Sequence, residues 1–252
     1  MKTPRLLMLA GISGAGKTSL LHAGLMQQQP VFGVAADADF QSICTPSRLP
    51  ESLLSFEQTV REQTWFQAIQ LPQLAAMEQL PDVVVLHVDL TNLLARQGKR
   101  PLTWTELRNP ARVTQSLATF VAMPLFQRFG SMVVHTLQPS WAHNAQQWHG
   151  RERQHREAAA PAPSLIKRVW RAGRRQLLRP PLLQQLFDPS RSPEPVHSHI
   201  YNAWLAAVPT LRPALQIHSE WQDGELRMRL NTPQSPQPTH LTLPLRAPEL
   251  AT

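Results

Sequence analysis

Eight residues near the amino terminus constrain this chain more than any other feature. Gly11-Ile12-Ser13-Gly14-Ala15-Gly16-Lys17-Thr18 fits the pattern G-x-x-x-x-G-K-[ST]. Glycines allow a tight turn, and their missing side chains let backbone N–H groups close around an anion. The flanks suit such a turn. Residues 5–10, apolar from Leu6 onward, read as a buried strand, and residues 17–28 read as a helix whose N-terminus faces the anion. Lys2 and Arg5 ahead of the apolar run imitate a signal peptide. The run is too short for one, however, and passes straight into glycines and Lys17. The expectation is a phosphate cradle built from Gly11, Ser13, Gly14, Ala15, Gly16, Lys17, Thr18 and Ser19. Lys17 would reach the β- and γ-phosphates, and the Thr18 hydroxyl would ligate Mg²⁺.

Downstream, the pattern is α/β. Val31–Ala36 reads as a second short strand ending at Asp37 and Asp39, and residues 51–79 carry apolar residues at helical spacing, interrupted by Pro72. Residues 82–89 form a continuous apolar run of the kind a doubly covered parallel strand requires. A helix is expected at 112–127 and a further strand at 131–136. Strands alternating with helices imply right-handed crossovers and a parallel sheet, with ligands at the carboxyl ends of the strands.

On the glycine loop and Lys17, the chain resembles the P-loop NTPase superfamily, most closely its small-molecule and nucleotide kinase branch. The resemblance covers about the first 25 residues, with added support at Asp89. It implies a parallel P-loop sheet flanked by helices, with ATP and Mg²⁺ as cofactors. Asp89, at the end of its apolar run, looks like the acid that holds Mg²⁺ beside Thr18; a helix cap or surface acid is the plain alternative. His87, two residues earlier, reads as a buried structural histidine. In such kinases an acid after the second strand orients the acceptor hydroxyl or takes its proton, a role open to Asp37 or Asp39, which sequence does not separate. Arginines of a lid after the fourth strand close over the transferring phosphoryl group there. Arg151, Arg153 and Arg156 fall in that place in chain order, with a solvated helix face as the alternative.

Charge is local. The chain carries a formal +8, yet residues 151–191 alone hold ten Lys/Arg against three acids, a net of +7. After the Ala/Pro-rich stretch 158–163, residues 164–179 read as a basic amphipathic helix. It could dock on the protein with its charges solvated, present arginines to an anionic small molecule, or lie on an anionic membrane or nucleic acid. A single tyrosine among few aromatics gives no stacking surface, so no strong nucleic-acid signal is present. The lone Cys44 makes no internal disulfide, and no apolar run reaches the roughly 18 residues of a membrane helix. A cytoplasmic protein, with a peripheral membrane position left open, is the expectation.

The carboxyl part reads as a helix at 197–208, a hairpin of 215–221 and 225–230 around Asp223-Gly224, and an irregular or extended Pro-rich tail from 232 to 248. His197 and His199 have the spacing of a metal pair but no supporting cluster, so surface or capping histidines are expected. The implied organisation is a nucleotide-binding core at 1–157, a basic hinge or lid at 158–195, and a completing segment at 196–252. The function expected is ATP-dependent phosphoryl transfer to a small anionic or sugar-like acceptor. Lys17, Asp37, Asp39, Arg151 and Arg153 would be the catalytic candidates, and Thr18 and Asp89 would hold the metal. Two alternatives remain: a nucleotide-gated module engaging a membrane or partner, and sulfotransferase-like group transfer.

Overall fold

Leu6 through Ala10 are apolar on both faces, so the strand they form needs cover on both sides and partners on both edges. The computed structural model describes residues 3–17, 20, 75–80, 83–96, 102–157, 185–188, 194–222, 225–233 and 238–243. In it, strand β1 (Arg5–Gly11) is buried from Leu6 onward. One edge pairs in parallel with β2 (Val83–Asp89), in a register running from Arg5 opposite Val83 to Gly11 opposite Asp89. The other edge pairs in parallel with β3 (Ser131–Leu137), up to Ala10 opposite Thr136. Both neighbours therefore end at the edge of the sheet where the glycine loop begins.

Among the described residues the sheet has six strands in the order β2-β1-β3-β4-β5-β6. β4 (Leu215–Gln222) lies parallel to β3, whereas β5 (Glu225–Asn231) and β6 (Thr239–Leu243) continue antiparallel. The expected hairpin is present, with Gln222 opposite Glu225. It is no appendage, because its first strand extends the parallel sheet. β5 shows one-sided burial: Met228 and Leu230 are buried while Arg227 and Arg229 are exposed. That alternation marks the antiparallel end of the sheet as covered on a single face. Part of the Pro-rich tail is a strand, since Thr239–Leu243 pairs with Leu226–Leu230.

Helices α1 (Leu90–Arg96), α2 (Trp104–Leu107) and α3 (Pro110–Val121) lie between β2 and β3. Helices α4 (Trp141–Glu157) and α5 (Glu194–Ala207) lie between β3 and β4. The start of α3 is written locally. Pro110 occupies the first turn, where its missing N–H costs nothing, and the Asn109 side chain accepts a hydrogen bond from the Ala111 N–H at 3.1 Å. Val113, Leu117, Phe120 and Val121 then form its buried stripe. That stripe meets α5, where Val196, Ile200, Trp204 and Ala207 are buried. Phe120 lies 6.2 Å from Trp204 between ring centroids, and the Trp204 Nε1–H donates to Thr136 Oγ1 at 2.9 Å. One side chain thus ties α5 both to the helical layer and to the sheet.

Two sequence expectations need revision. The helix expected at 112–127 begins at Pro110 and stops at Val121, and a separate 3₁₀ turn covers Pro124–Arg128. Pro124 explains the break: it has no N–H to donate, and it holds Met123 extended at ψ 133°. The helix expected at 197–208 starts at Glu194 and passes into a 3₁₀ turn at Val208, just ahead of Pro209. The strand expected at 31–36, most of the helices at 17–28 and 51–79, and the basic helix at 164–179 lie outside the described residues. No helix among the described residues is long and apolar enough to cross a membrane.

Candidate functional site

The loop leaves β1 at Gly11 and turns twice through backbone that L side chains rarely adopt, with φ of 87° at Gly14 and 84° at Gly16. Gly11 is a glycine for a different reason. A Cβ there would stand 2.7 Å from the Leu137 carbonyl oxygen and 3.1 Å from the Ala15 Cβ. The turn is closed by Ala15 N–H donating to the Ile12 carbonyl at 3.1 Å, and Leu20 N–H reaches the Gly16 carbonyl at 2.8 Å as the helix begins. Successive glycines with positive φ create the kind of concavity in which backbone N–H groups converge on an anion.

Lys17 is 6% exposed, and its ammonium is engaged both by the loop and by a neighbouring strand. Nζ donates to the Gly11 carbonyl at 2.8 Å and the Ile12 carbonyl at 2.7 Å, and stands 3.5 Å from Asp89 Oδ2. Asp89 reaches this position because β2 runs in register with β1, so the last residue of one strand faces the last residue of the other. Its side chain remains 16% exposed. The lysine of the motif and the acid at the end of the apolar run therefore share one site.

Three side chains from distant segments grip the outside of the loop. Tyr201 of α5 accepts the Ile12 N–H at 3.1 Å and donates its hydroxyl to the Leu137 carbonyl at 2.8 Å. Asn144 of α4 donates Nδ2–H to the Ser13 carbonyl at 2.6 Å. Thr91 of α1 lies at 3.5 Å, its hydroxyl accepting from the Ser13 N–H. Behind Asn144 stands His197, whose Nε2 is 3.4 Å from Asn144 Oδ1. Because Nδ2 of that amide donates to Ser13, Oδ1 is an acceptor, and His197 must carry its proton on Nε2. Burial lowers the His197 pKa to about 4, so the ring is neutral near pH 7. Burial also pushes the Tyr201 phenol up, and the nearby negative Asp89 adds to this against the Ile12 N–H bond, which favours ionisation. The hydroxyl therefore stays protonated and serves both its bonds.

Of the residues expected from sequence to form the site, Gly11, Ser13, Gly14, Ala15, Gly16, Lys17 and Asp89 come together at this edge of the sheet. Thr18, Ser19, Asp37 and Asp39 lie outside the described residues, as does the side chain of His87. Arg151 and Arg153 belong to α4, and Arg153 is exposed. Asn144, near the start of the same helix, touches the loop. At 1.5 Å per residue the two arginines lie roughly 10–14 Å further along the axis. His197 is not the surface or capping residue expected: it is 3% exposed and belongs to the network behind the loop. No group of three or more metal-binding side chains occurs among the described residues.

Asn144, Tyr201 and Thr91 carry no local sequence signal. Asn144 is 131 positions from the loop residue it binds and Tyr201 is 189 from its own, so only the assembled fold brings them there.

No curated protein and no solved structure matches the chain. A family model does, that of Novel STAND NTPase 1, over residues 1–147. The matched residues run from β1 through the glycine loop, Asp89 and β3 to the first turns of α4, and so include Lys17 and Asn144 but not α5. This match supports an NTPase and gives no support to the kinase branch. On a match covering more than half of its residues, the chain belongs to the Novel STAND NTPase 1 family.

Proposed function

We propose that the chain binds a nucleoside triphosphate at residues 11–18 and hydrolyses it, with water rather than a small metabolite as the acceptor. The observation that carries this reading is the meeting of Lys17 and Asp89, 3.5 Å apart, at the mouth of a turn built on Gly14 and Gly16. ATP is the nucleotide proposed, because the sequence has no Asn/Thr-Lys-x-Asp guanine-reading motif.

The donor set suits Mg²⁺, which takes hard oxygen ligands and keeps several waters. Asp89 offers a partly exposed carboxylate turned toward the loop, and Thr18 offers a hydroxyl. Held by Asp89 and Thr18, such a metal would supply positive charge against the triphosphate. The chain's own groups do the rest. Loop amides hold the phosphates in place, and Lys17 exchanges the Gly11 and Ile12 carbonyls for phosphate oxygens, trading neutral acceptors for anionic ones. Water attacks the γ-phosphorus, the bond to the β–γ bridging oxygen breaks, and the diphosphate leaves with that electron pair; the water's proton passes to solvent.

Phosphoryl transfer to a small anionic or sugar-like acceptor would need Asp37 or Asp39 at the acceptor and Arg151 or Arg153 over the phosphoryl group. Neither placement is supported by an observation here. The deciding experiment is phosphate release from ATP with Mg²⁺ and no added acceptor. Turnover that is lost in Lys17→Ala supports hydrolysis. Turnover that appears only when a metabolite is supplied overturns it in favour of a kinase.

A further inference from the structure

A trans peptide unit points its C=O and the following N–H to opposite sides. That simple constraint gives meaning to the contacts behind the glycine loop. In the Gly11–Ile12 peptide, the N–H is taken by Tyr201 at 3.1 Å and the C=O by Lys17 at 2.8 Å. In the Ser13–Gly14 peptide, the C=O is taken by Asn144 at 2.6 Å. The Gly14 N–H must then face away from Asn144. Asn144 and Tyr201 approach the loop from α4 and α5, the helices that follow β3, and both are fully or nearly fully buried.

We propose that Asn144 and Tyr201 are positioning residues for the phosphate cradle, and that through them helix α5, outside the matched part of the family, sets the aim of the loop amides toward phosphate. The inference rests on the nucleotide-binding reading above. Tyr201 fixes the loop at the point where it leaves β1, and its second bond, to the Leu137 carbonyl at 2.8 Å, anchors it to β3. Asn144 fixes the loop two residues later, at the peptide entering Gly14. Its own amide is held in one orientation by His197, also on α5. A cradle whose peptide planes are already turned loses no free energy to reorganisation when the anion arrives. Each of these side chains meets the loop at a backbone amide group.

Tripolyphosphate tests the idea because it carries the phosphates without base or sugar. Its affinity, and that of ATP, would be measured by calorimetry with Mg²⁺ on the full chain, for the wild type, Lys17→Ala, Asn144→Leu and Tyr201→Phe. Hydrogen exchange of the loop amides would be followed without ligand. The expected result for Tyr201→Phe and Asn144→Leu is a loss of about fivefold to tenfold, equal for the two ligands, with faster exchange at residues 12–16. Protection in α3 should be unchanged, which a general loss of stability would not leave. Unchanged tripolyphosphate affinity in a folded Tyr201→Phe protein overturns the proposal, even where Lys17→Ala abolishes binding and the nucleotide reading stands. Failure of the wild type to bind either ligand sinks that reading and this one with it. Should Asn144→Leu not fold, Tyr201→Phe alone decides, since its ring still fills the same space.

Discussion

Lys17 and Asp89 form an ion pair of 3.5 Å across the mouth of the glycine loop, on residues 72 positions apart brought level by the β1–β2 register. The ammonium also donates to two loop carbonyls, those of Gly11 and Ile12. On the proposed function the two partners would have opposite tasks: Lys17 would turn to phosphate, and Asp89 would turn toward the metal.

Asp89→Asn tests that division. It keeps the shape of the side chain and removes its charge. The expected outcome is hydrolysis slowed by about a hundredfold or more, on the scale of losing one electrostatic element of an active site. Binding of the nucleotide without Mg²⁺ should be little changed, because Lys17 and the loop amides remain. Titrating Mg²⁺ against phosphate release would check it; a normal Mg²⁺ response in the variant would remove Asp89 from the metal site.

Gly11→Ala should damage the site from within the strand. The added methyl would meet the Leu137 carbonyl oxygen at 2.7 Å and the Ala15 Cβ at 3.1 Å. A backbone oxygen in a paired strand has little room to move, so the expected cost is roughly 1–3 kcal/mol of stability. Urea denaturation measures it. Nucleotide affinity should fall in the same variant, because the crowding is at the first residue of the loop.

Trp204→Ala should be the costlier change although it is far from chemistry. Trp204 is fully buried, stacks at a tilt on Phe120, and donates to Thr136. Truncation leaves a cavity between α3, α5 and the sheet and an orphaned hydroxyl, for an expected loss of about 3–5 kcal/mol. Trp204→Phe keeps most of the volume and should cost less than half of that in the same denaturation measurement.

Acid should destabilise the fold through His197. Its pKa falls from 6.5 to about 4 on folding. Between those values the unfolded chain binds a proton that the folded chain refuses, so stability decreases as pH falls through that window. His197 contributes on the order of 3 kcal/mol to this loss by pH 4, after which both states are protonated and its effect levels off. His143, whose pKa burial also lowers, acts in the same direction. In His197→Gln, which can still donate to Asn144, the slope of stability against pH over this window should flatten; an unchanged slope would show that other groups dominate.

The elements that carried strong local signals were readable in advance. A run such as Leu6–Ala10 admits little besides a doubly covered strand, and Gly14 and Gly16 admit a turn with positive φ because only they lack a Cβ. The same holds for residues 82–89 and for the hairpin, whose alternation and two-residue connection are local properties. Where the reading failed, the competing force was local too but finer. Pro124 ended a helix that apolar spacing alone would have continued, and Asn109-Pro110 started it earlier than expected.

Residue chemistry by itself determined that this chain has a glycine loop with Lys17 behind a buried strand, an acid at the end of a second apolar strand, and a body in which strands alternate with helices. Those are consequences of backbone sterics and of apolar periodicity, which act over a few residues. Tertiary structure alone decided that Asp89 meets Lys17, that the hairpin joins the parallel sheet beside β3, and that Tyr201 and Asn144 hold the loop from outside. It also turned His197 from an expected surface group into a buried neutral one. Such relationships depend on strand order and helix docking across distant parts of the chain, where no side chain announces its partner. Only the assembled fold puts the donor and the acceptor within reach of each other.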